Sequence, residues 1–441
     1  MATKRAVSKA KAKKSEGLAL QGASKKSKAA PAKEKIAVPS EPAGIIVNID
    51  GLGLPTKGRP FLVEYFPTFE QIDAELEARK EELAAQRRKV DRVFRKIRKE
   101  WRYRVQPGCR HGIESDESKV GPRRNKGPLL GSVNVGFRTK MGHIVSPLQW
   151  VIEVDVPRKY GKAELAKNGD FLFPKEYDGV PIKVREIRFC SSVGVISSAG
   201  GAGGFAFPRS TQMIGGLAIA SSTSPNRWGT LGICVDNLLA VTNCHVVGTK
   251  SSGTWSVAKG TNIIHLPSAP GPATVIGKVS QPSSISSVID GATIAKTTTG
   301  LPFVQGIKTL NGFSPTDYVF YSLKKLKGNA RGEVIKVGAK TGPRSGKITN
   351  MLRSVPVPDL KSAGEFLDVF EITGNDGSFV TDHGDSGSVV VKVINGKPVV
   401  IGLNFAMSDD RKQSYAIPFG RVLDDLRITL PASRLYEKPL Q

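Results

Sequence analysis

From Met213 to about Leu430 the chain breaks into short apolar runs, each ended by glycine, serine, asparagine or proline. Such frequent punctuation leaves little room for helices and favours many short strands. Helical periodicity returns only near the end, in "FGRVLDDLRITL". This texture predicts an all-β barrel or sandwich, or a pair of barrels, and 47 glycines are there to supply the turns.

Upstream the pattern changes three times. Residues 1–60 read as a disordered basic tail and linker. Their first 40 positions hold eleven Lys/Arg against two Glu and almost no large apolar side chain, too little to offset the entropy of ordering. Residues 61–127 read as a charged helical segment. Ile72, Leu76, Leu83, Val90, Val93, Phe94, Ile97 and Trp101 recur at helical spacing, with acids crowding the start and bases the end. Residues 128–190 read as a small α/β region, with "GSVNVGFR", "QWVIEVDV" and "VPIKVREIRF" as strands and "KAELAKNG" as a short helix. Residues 191–210 read as a Gly/Ser linker, because "SSAGGAGGFAFPRS" misses the dinucleotide fingerprint. The remainder, 211–435, is the β domain. Within it "GAKTGPRSGK" fails the phosphate-loop spacing and is expected to be a hairpin turn.

Net charge is +26, which favours polyanions and makes nucleic acid a candidate partner for the tail and the helix. No apolar run reaches the ~18 residues of a membrane helix, and "GLAL" is too short for a signal-peptide core. Cys109, Cys190, Cys234 and Cys244 are scattered, with no zinc-ligand pairing; a Cys234–Cys244 bond stays open, but free thiols fit better. The expectation is a cytoplasmic protein that needs no metal or cofactor. A monomer and a homo-oligomer are both compatible with the sequence.

The chemistry gathers in the β-rich part. Acyl transfer by a serine needs a base for its proton, a carboxylate to orient the base, and N–H donors for the oxyanion. "HGDSGSVVV" offers Ser386, with Gly384 and Gly387 freeing the backbone to turn so that the N–H groups of Gly384 and Ser386 converge. "AVTNCHVV" delivers His245 where a strand gives way to a loop, and "VIDGATIAK" places Asp290 just ahead of a strand. Asp317 and Asp368 are rival carboxylates with poorer spacing. His383, three residues before the serine, is expected to be a loop residue, and Cys244 a small apolar packing group.

The order His, Asp, Ser, at intervals of 45 and 96 residues, resembles the chymotrypsin-like (trypsin-fold) serine peptidases. More narrowly, 128–430 resembles intracellular bacterial trypsin-like peptidases related to plant NAL1-type proteases. "KEYDGVPIKV", "VGAKTGPRSGKI" and "VVIGLNFAMS" carry that likeness. The resemblance implies a mainly β, chymotrypsin-like double β-barrel behind a small α/β region and an N-terminal charged helix. It implies His245 as general base, Asp290 as its orienting acid, Ser386 as nucleophile, and the N–H groups of Gly384 and Ser386 as oxyanion hole. "GLNFAM" becomes the edge strand for an extended peptide, with Gly402 and Asn404 as substrate-binding positions, and Val380 the base of a pocket for a small or medium apolar side chain. "MIGG" mimics the activated amino terminus of secreted members, but no Arg or Lys immediately precedes it. Asp385 is therefore expected to need a different partner. The function implied is a serine endopeptidase acting on protein or peptide. The rivals are a nucleic-acid-binding or scaffold protein with a vestigial or conditionally active peptidase domain, and an esterase using the same acyl chemistry.

Overall fold

The computed structural model describes residues 44–46, 65–67, 69–102, 132–140, 143–156, 173–192, 194–195, 210–251, 254–266, 274–281, 285–286, 288–298, 300–308, 316–327, 332–357, 360, 365–375, 378 and 380–440. The basic arm up to residue 43, Cys109, the helix expected at 162–169 and the Gly/Ser stretch 196–209 lie outside them.

Spacing of apolar residues along the charged segment gives two helices, α1 (Phe69–Ala78) and α2 (Lys80–Arg102). The one helix expected there is divided at Arg79. Its guanidinium is tied to Glu75 one turn before, to Glu82 one turn after, and to the Leu148 carbonyl. Backbone bonds from Arg79 to Glu75 and from Leu83 to Arg79 still carry the ladder across the join. Val90, Val93 and Ile97 of α2 belong to one buried apolar cluster with Val133, Val135, Ile152, Val154 and Val180. At roughly 1.5–3 kcal/mol for each fully buried aliphatic side chain, this face holds the helix on a sheet.

That sheet joins β1 (Ser132–Phe137), β2 (Trp150–Val156) and β3 (Val180–Glu186), with β1 antiparallel and β3 parallel to β2. Alternation places Val133, Val135, Ile152 and Val154 toward α2. The polar alternates Ser132, Asn134, Glu153 and Asp155, which such a pattern sends to solvent, are also buried. They face the second barrel, where fully buried Arg353 bonds Glu153 (2.7 Å) and Asp155, while Arg185 bonds Glu153 (3.0 Å) and Glu371 (3.3 Å). Burial alone would raise the Glu371 carboxyl, but Arg185 and Arg353 override it and hold it down to about 2. Beyond β3 the chain enters β4 (Phe189–Ser191) and β5 (Gly194–Val195), each paired to a different barrel. Of the residues expected to open a linker, Ser191, Gly194 and Val195 are strand residues and Ser192 follows the end of β4; their backbone groups find partners on β17 and β7, defined below.

The first barrel contains β6 (Ala218–Ser221), β7 (Arg227–Thr230), β8 (Ile233–Cys234), β9 (Leu239–Thr242), a one-turn helix α3 (Cys244–Val247), β10 (Asn262–His265), β11 (Thr274–Gln281) and β12 (Ala292–Lys296). These strands curl into one sheet of order β5-β7-β6-β10-β11-β12-β9-β8. The second barrel contains β13 (Glu333–Gly338), β14 (Gly342–Pro356), β15 (Glu365–Gly374), β16 (Val389–Ile394), β17 (Lys397–Ser408) and β18 (Gln413–Pro418), followed by α4 (Phe419–Asp425). Pairings β16-β13-β14-β15-β18-β17 close on themselves through β17–β16, giving a closed six-stranded barrel. The hairpin expected at "GAKTGPRSGK" is the β13–β14 turn. The architecture is mainly β, a closed barrel beside a curled one in the chymotrypsin-like double-barrel arrangement, with a small helix-on-sheet region ahead of it.

Candidate active site

Strand register brings His245 and Asp290 together. β9 pairs with β12 so that Thr242 faces Ala292, which leaves His245 and Asp290 just past the paired ends. Asn243 bridges the gap by donating its amide to the Asp290 carbonyl (2.6 Å). One Asp290 oxygen accepts the His245 backbone N–H (3.1 Å), and the other meets His245 Nδ1. A carboxylate there fixes the Nδ1–H tautomer, so Nε2 keeps its lone pair and faces Ser386 Oγ at 2.7 Å. All three residues have zero relative exposure. The Phe405 carbonyl is a second acceptor for the Ser386 hydroxyl at 3.1 Å, so His245 Nε2 is the nearer of the two, in surroundings too dry to blunt the interaction. Asp368 instead pairs with Lys325 (2.7 Å), and Asp317 is exposed.

The serine comes from the opposite barrel. Gly384 has φ +107° and Gly387 φ +92°, the left-handed range that favours glycine. A Cβ at Gly384 would lie 2.4 Å from the Trp228 ring, and one at Gly387 2.2 Å from the Thr230 carbonyl. The turn directs the N–H groups of Gly384 and Ser386 at a single acceptor, the Ser192 carbonyl, at 2.6 and 3.1 Å. Between them, buried Asp385 points away and accepts from Lys336 Nζ (2.6 Å), Thr341 Oγ1 (2.7 Å), and the backbone N–H groups of Lys340, Thr341 and Asp382. Lys336 is the partner that the sequence left unnamed. Burial pulls its ammonium pKa down, and Asp385 opposes that shift. Met213–Gly215, the mimic of a processed terminus, is a strand paired in parallel with Phe303–Ile307.

Ser192 belongs to a stretch of the chain that runs through the site. β4 pairs antiparallel with the end of β17, setting Phe189, Cys190 and Ser191 opposite Ser408, Met407 and Ala406. Ser192 then donates its N–H to Phe405 O (3.3 Å), and its hydroxyl lies 3.0 Å from Ser386 Oγ and 3.3 Å from Asn404 Nδ2. On the far side β5 sets Gly194 and Val195 opposite Trp228 and Arg227 of β7. The strand containing "GLNFAM", expected to hold a substrate, pairs here with the chain's own segment Phe189–Ser191.

The remaining sequence candidates fall as follows. Asn404 is buried and also holds the Asp385 carbonyl (3.1 Å), bracing the serine turn. Gly402 sits inside β17, where a Cβ would lie 2.4 Å from the Phe370 ring. Val380 belongs to the same buried cluster as Ile348, Ile372 and Ile401. His383 is exposed in the turn, and its backbone N–H donates to Asp382. Cys190, Cys234 and Cys244 are not joined in disulfides; burial raises the Cys244 thiol pKa well above its usual value, so it packs as a small apolar group. Sequence reading missed Lys336, Ser192 and Trp228, and named Phe405 only as part of "GLNFAM". Only Lys336 left a signal, as a charge inside the apolar alternation "EVIKVG". Among the described residues no cluster of His, Cys, Asp and Glu is arranged to hold a metal, and no helix is long and apolar enough to cross a membrane.

No family model matches the sequence, and no curated protein matches it. Among solved structures, Thermobifida fusca Protease A is similar at 17% identity, covering 48% of this chain and 95% of that one, with a TM-score of 0.33. Cellulomonas bogoriensis chymotrypsin is similar at 16% identity, with 48% and 94% coverage and a TM-score of 0.32. A glutamic acid specific serine protease is similar at 19% identity, with 48% and 96% coverage and a TM-score of 0.32. The fold class rests on the strand pairings above and not on these superpositions.

Proposed function

We propose that the protein is a serine endopeptidase working through Ser386, His245 and Asp290. The observation that supports this best is the unbroken line from Asp290 through His245 to Ser386 Oγ, ending beside two N–H groups that already hold a carbonyl oxygen. In this reading His245 Nε2 takes the Ser386 proton as Oγ adds to a peptide carbonyl. Asp290 steadies the imidazolium, and Gly384 and Ser386 N–H groups meet the oxyanion. Collapse expels the amine, which takes the proton from His245. Water then attacks the ester by the same route in reverse, restoring Ser386. The edge of β17 would hold the residues before the scissile bond, with a small uncharged side chain favoured at the position Ser192 occupies. The narrower kinship with intracellular bacterial peptidases rests on the sequence motifs alone.

Fluorophosphonate labelling tests the reading, with Ser386→Ala as control. Because Ser192 covers the serine, the labelling is carried out on the full chain and on Ser192→Trp, chosen to place bulk at a fully buried position and so displace the segment. Label at Ser386 is expected. A folded Ser192→Trp protein that never labels there would sink the proposal.

A further inference from the structure

Ser192 is held as a peptidase holds the residue whose carbonyl it attacks. Its oxygen takes both Gly384 and Ser386 N–H groups, its own N–H goes to Phe405 O, and Cys190, two residues back, pairs with Met407. Across the intervening bond, Gly194 and Val195 pair with the opposite barrel at β7. The chain is therefore held up to Ser192 on one side of the Ser192–Val193 bond and from Gly194 on the other, with the Ser192 carbonyl polarised and a serine poised 2.7 Å from its base. We propose that this bond is the enzyme's substrate and that the chain cleaves itself there, an inference that rests on the peptidase reading above.

The reaction balances with water alone. Ser386 Oγ bonds to the Ser192 carbonyl carbon as its proton passes to His245 Nε2. The C–N bond to Val193 then breaks, and His245 protonates the departing amine. Water, deprotonated by His245, hydrolyses the Ser192–Ser386 ester, leaving a carboxylate at Ser192, an amino group at Val193 and free Ser386. A lodged inhibitor would present the same face to the enzyme and resist by holding the amine in place for religation. Here the only described hold on that side is the two-residue pairing of β5. Attack within one molecule needs no encounter, and near-attack positioning of this kind is worth effective molarities of about 10⁵–10⁸ M.

The test is the intact mass and amino-terminal sequence of the full chain, followed from synthesis, beside Ser386→Ala. The expected result is fragments 1–192 and 193–441, the second beginning at Val193. The fraction cut should be independent of protein concentration, and Ser386→Ala should stay whole even when mixed with active protein. A wild-type chain that stays intact, while Ser192→Trp labels at Ser386, overturns self-cleavage and leaves the peptidase standing with residues 189–195 as its inhibitor. Cleavage of purified Ser386→Ala at the same bond overturns it too, since another agent is then responsible. If the wild type stays intact and Ser192→Trp folds without labelling, the peptidase reading itself fails.

Discussion

Lys336→Met tests the part of the site that the sequence left incomplete. The Lys336 ammonium is 1% exposed and lies 2.6 Å from an Asp385 carboxylate that is 0% exposed. Asp385 keeps four neutral donors when the lysine is lost, from Thr341 Oγ1 and the N–H groups of Lys340, Thr341 and Asp382, but it loses its only close counter-charge among the described residues. Breaking a buried pair from one side costs about 3–5 kcal/mol, because a charge is left uncompensated. Asp385 is also the link between the two N–H groups that hold the Ser192 carbonyl, so its displacement turns them away. One misplaced oxyanion donor costs about 10²–10³ in rate. Stability is read by urea unfolding in a Ser386→Ala background, where cleavage cannot interfere, and rate by the appearance of the Val193 amino terminus. The double variant Lys336→Met/Asp385→Asn removes both charges and should recover a large part of the stability lost by Lys336→Met. A Lys336→Met protein within about 1 kcal/mol of its parent, cleaving at an unchanged rate, would refute the assigned role of this pair.

Three further outcomes are expected. Asp290→Asn keeps the shape but frees the His245 tautomer, and the cleavage rate should fall about 10⁴-fold, measured by the same fragment assay. Glu371 is an acid held below its ordinary value of 4.5, at about 2, so its contribution is complete above pH 4.5 and lost as pH falls toward 2. That shift corresponds to about 3 kcal/mol, read as a drop in urea midpoint across the window that Glu371→Gln should flatten. Retention on immobilised DNA should fall steeply with salt and weaken when residues 1–44 are removed; no retention at low salt would dismiss the basic arm as a polyanion site.

The barrels were legible because β-structure writes itself into local pattern. Apolar runs such as "VVVKV" and "AVT" ended by turns gave the strands, and "HGDSGS" declared its turn through glycines that the observed φ values require. His245, Asp290 and Ser386 were legible as a set because each sits at a strand end in a local signature, and the fold then brings them within hydrogen-bonding reach. What stayed hidden depends on contacts between distant segments. Ser132, Asn134, Glu153 and Asp155 occupy the alternate positions that normally face water, and only the placement of Arg353, about 200 residues away, turns that face inward. Lys336 interrupts the apolar alternation of "EVIKVG", but its partner Asp385 lies 49 residues away in the chain and only the fold brings them together. "FCSSVGV" reads as the end of one strand and the start of a linker, because nothing in its composition announces that β17 and β7 will take it up on either side of the serine.

Self-cleavage depends on where one carbonyl lies. A crystal structure of the uncleaved Ser386→Ala chain tests this directly. The Ser192 oxygen should lie within hydrogen-bonding distance of the N–H groups of residues 384 and 386, with Cys190 opposite Met407 and Gly194 opposite Trp228. A cleft free of residues 189–195, or filled by them with the Ser192 carbonyl turned away from both donors, would contradict it.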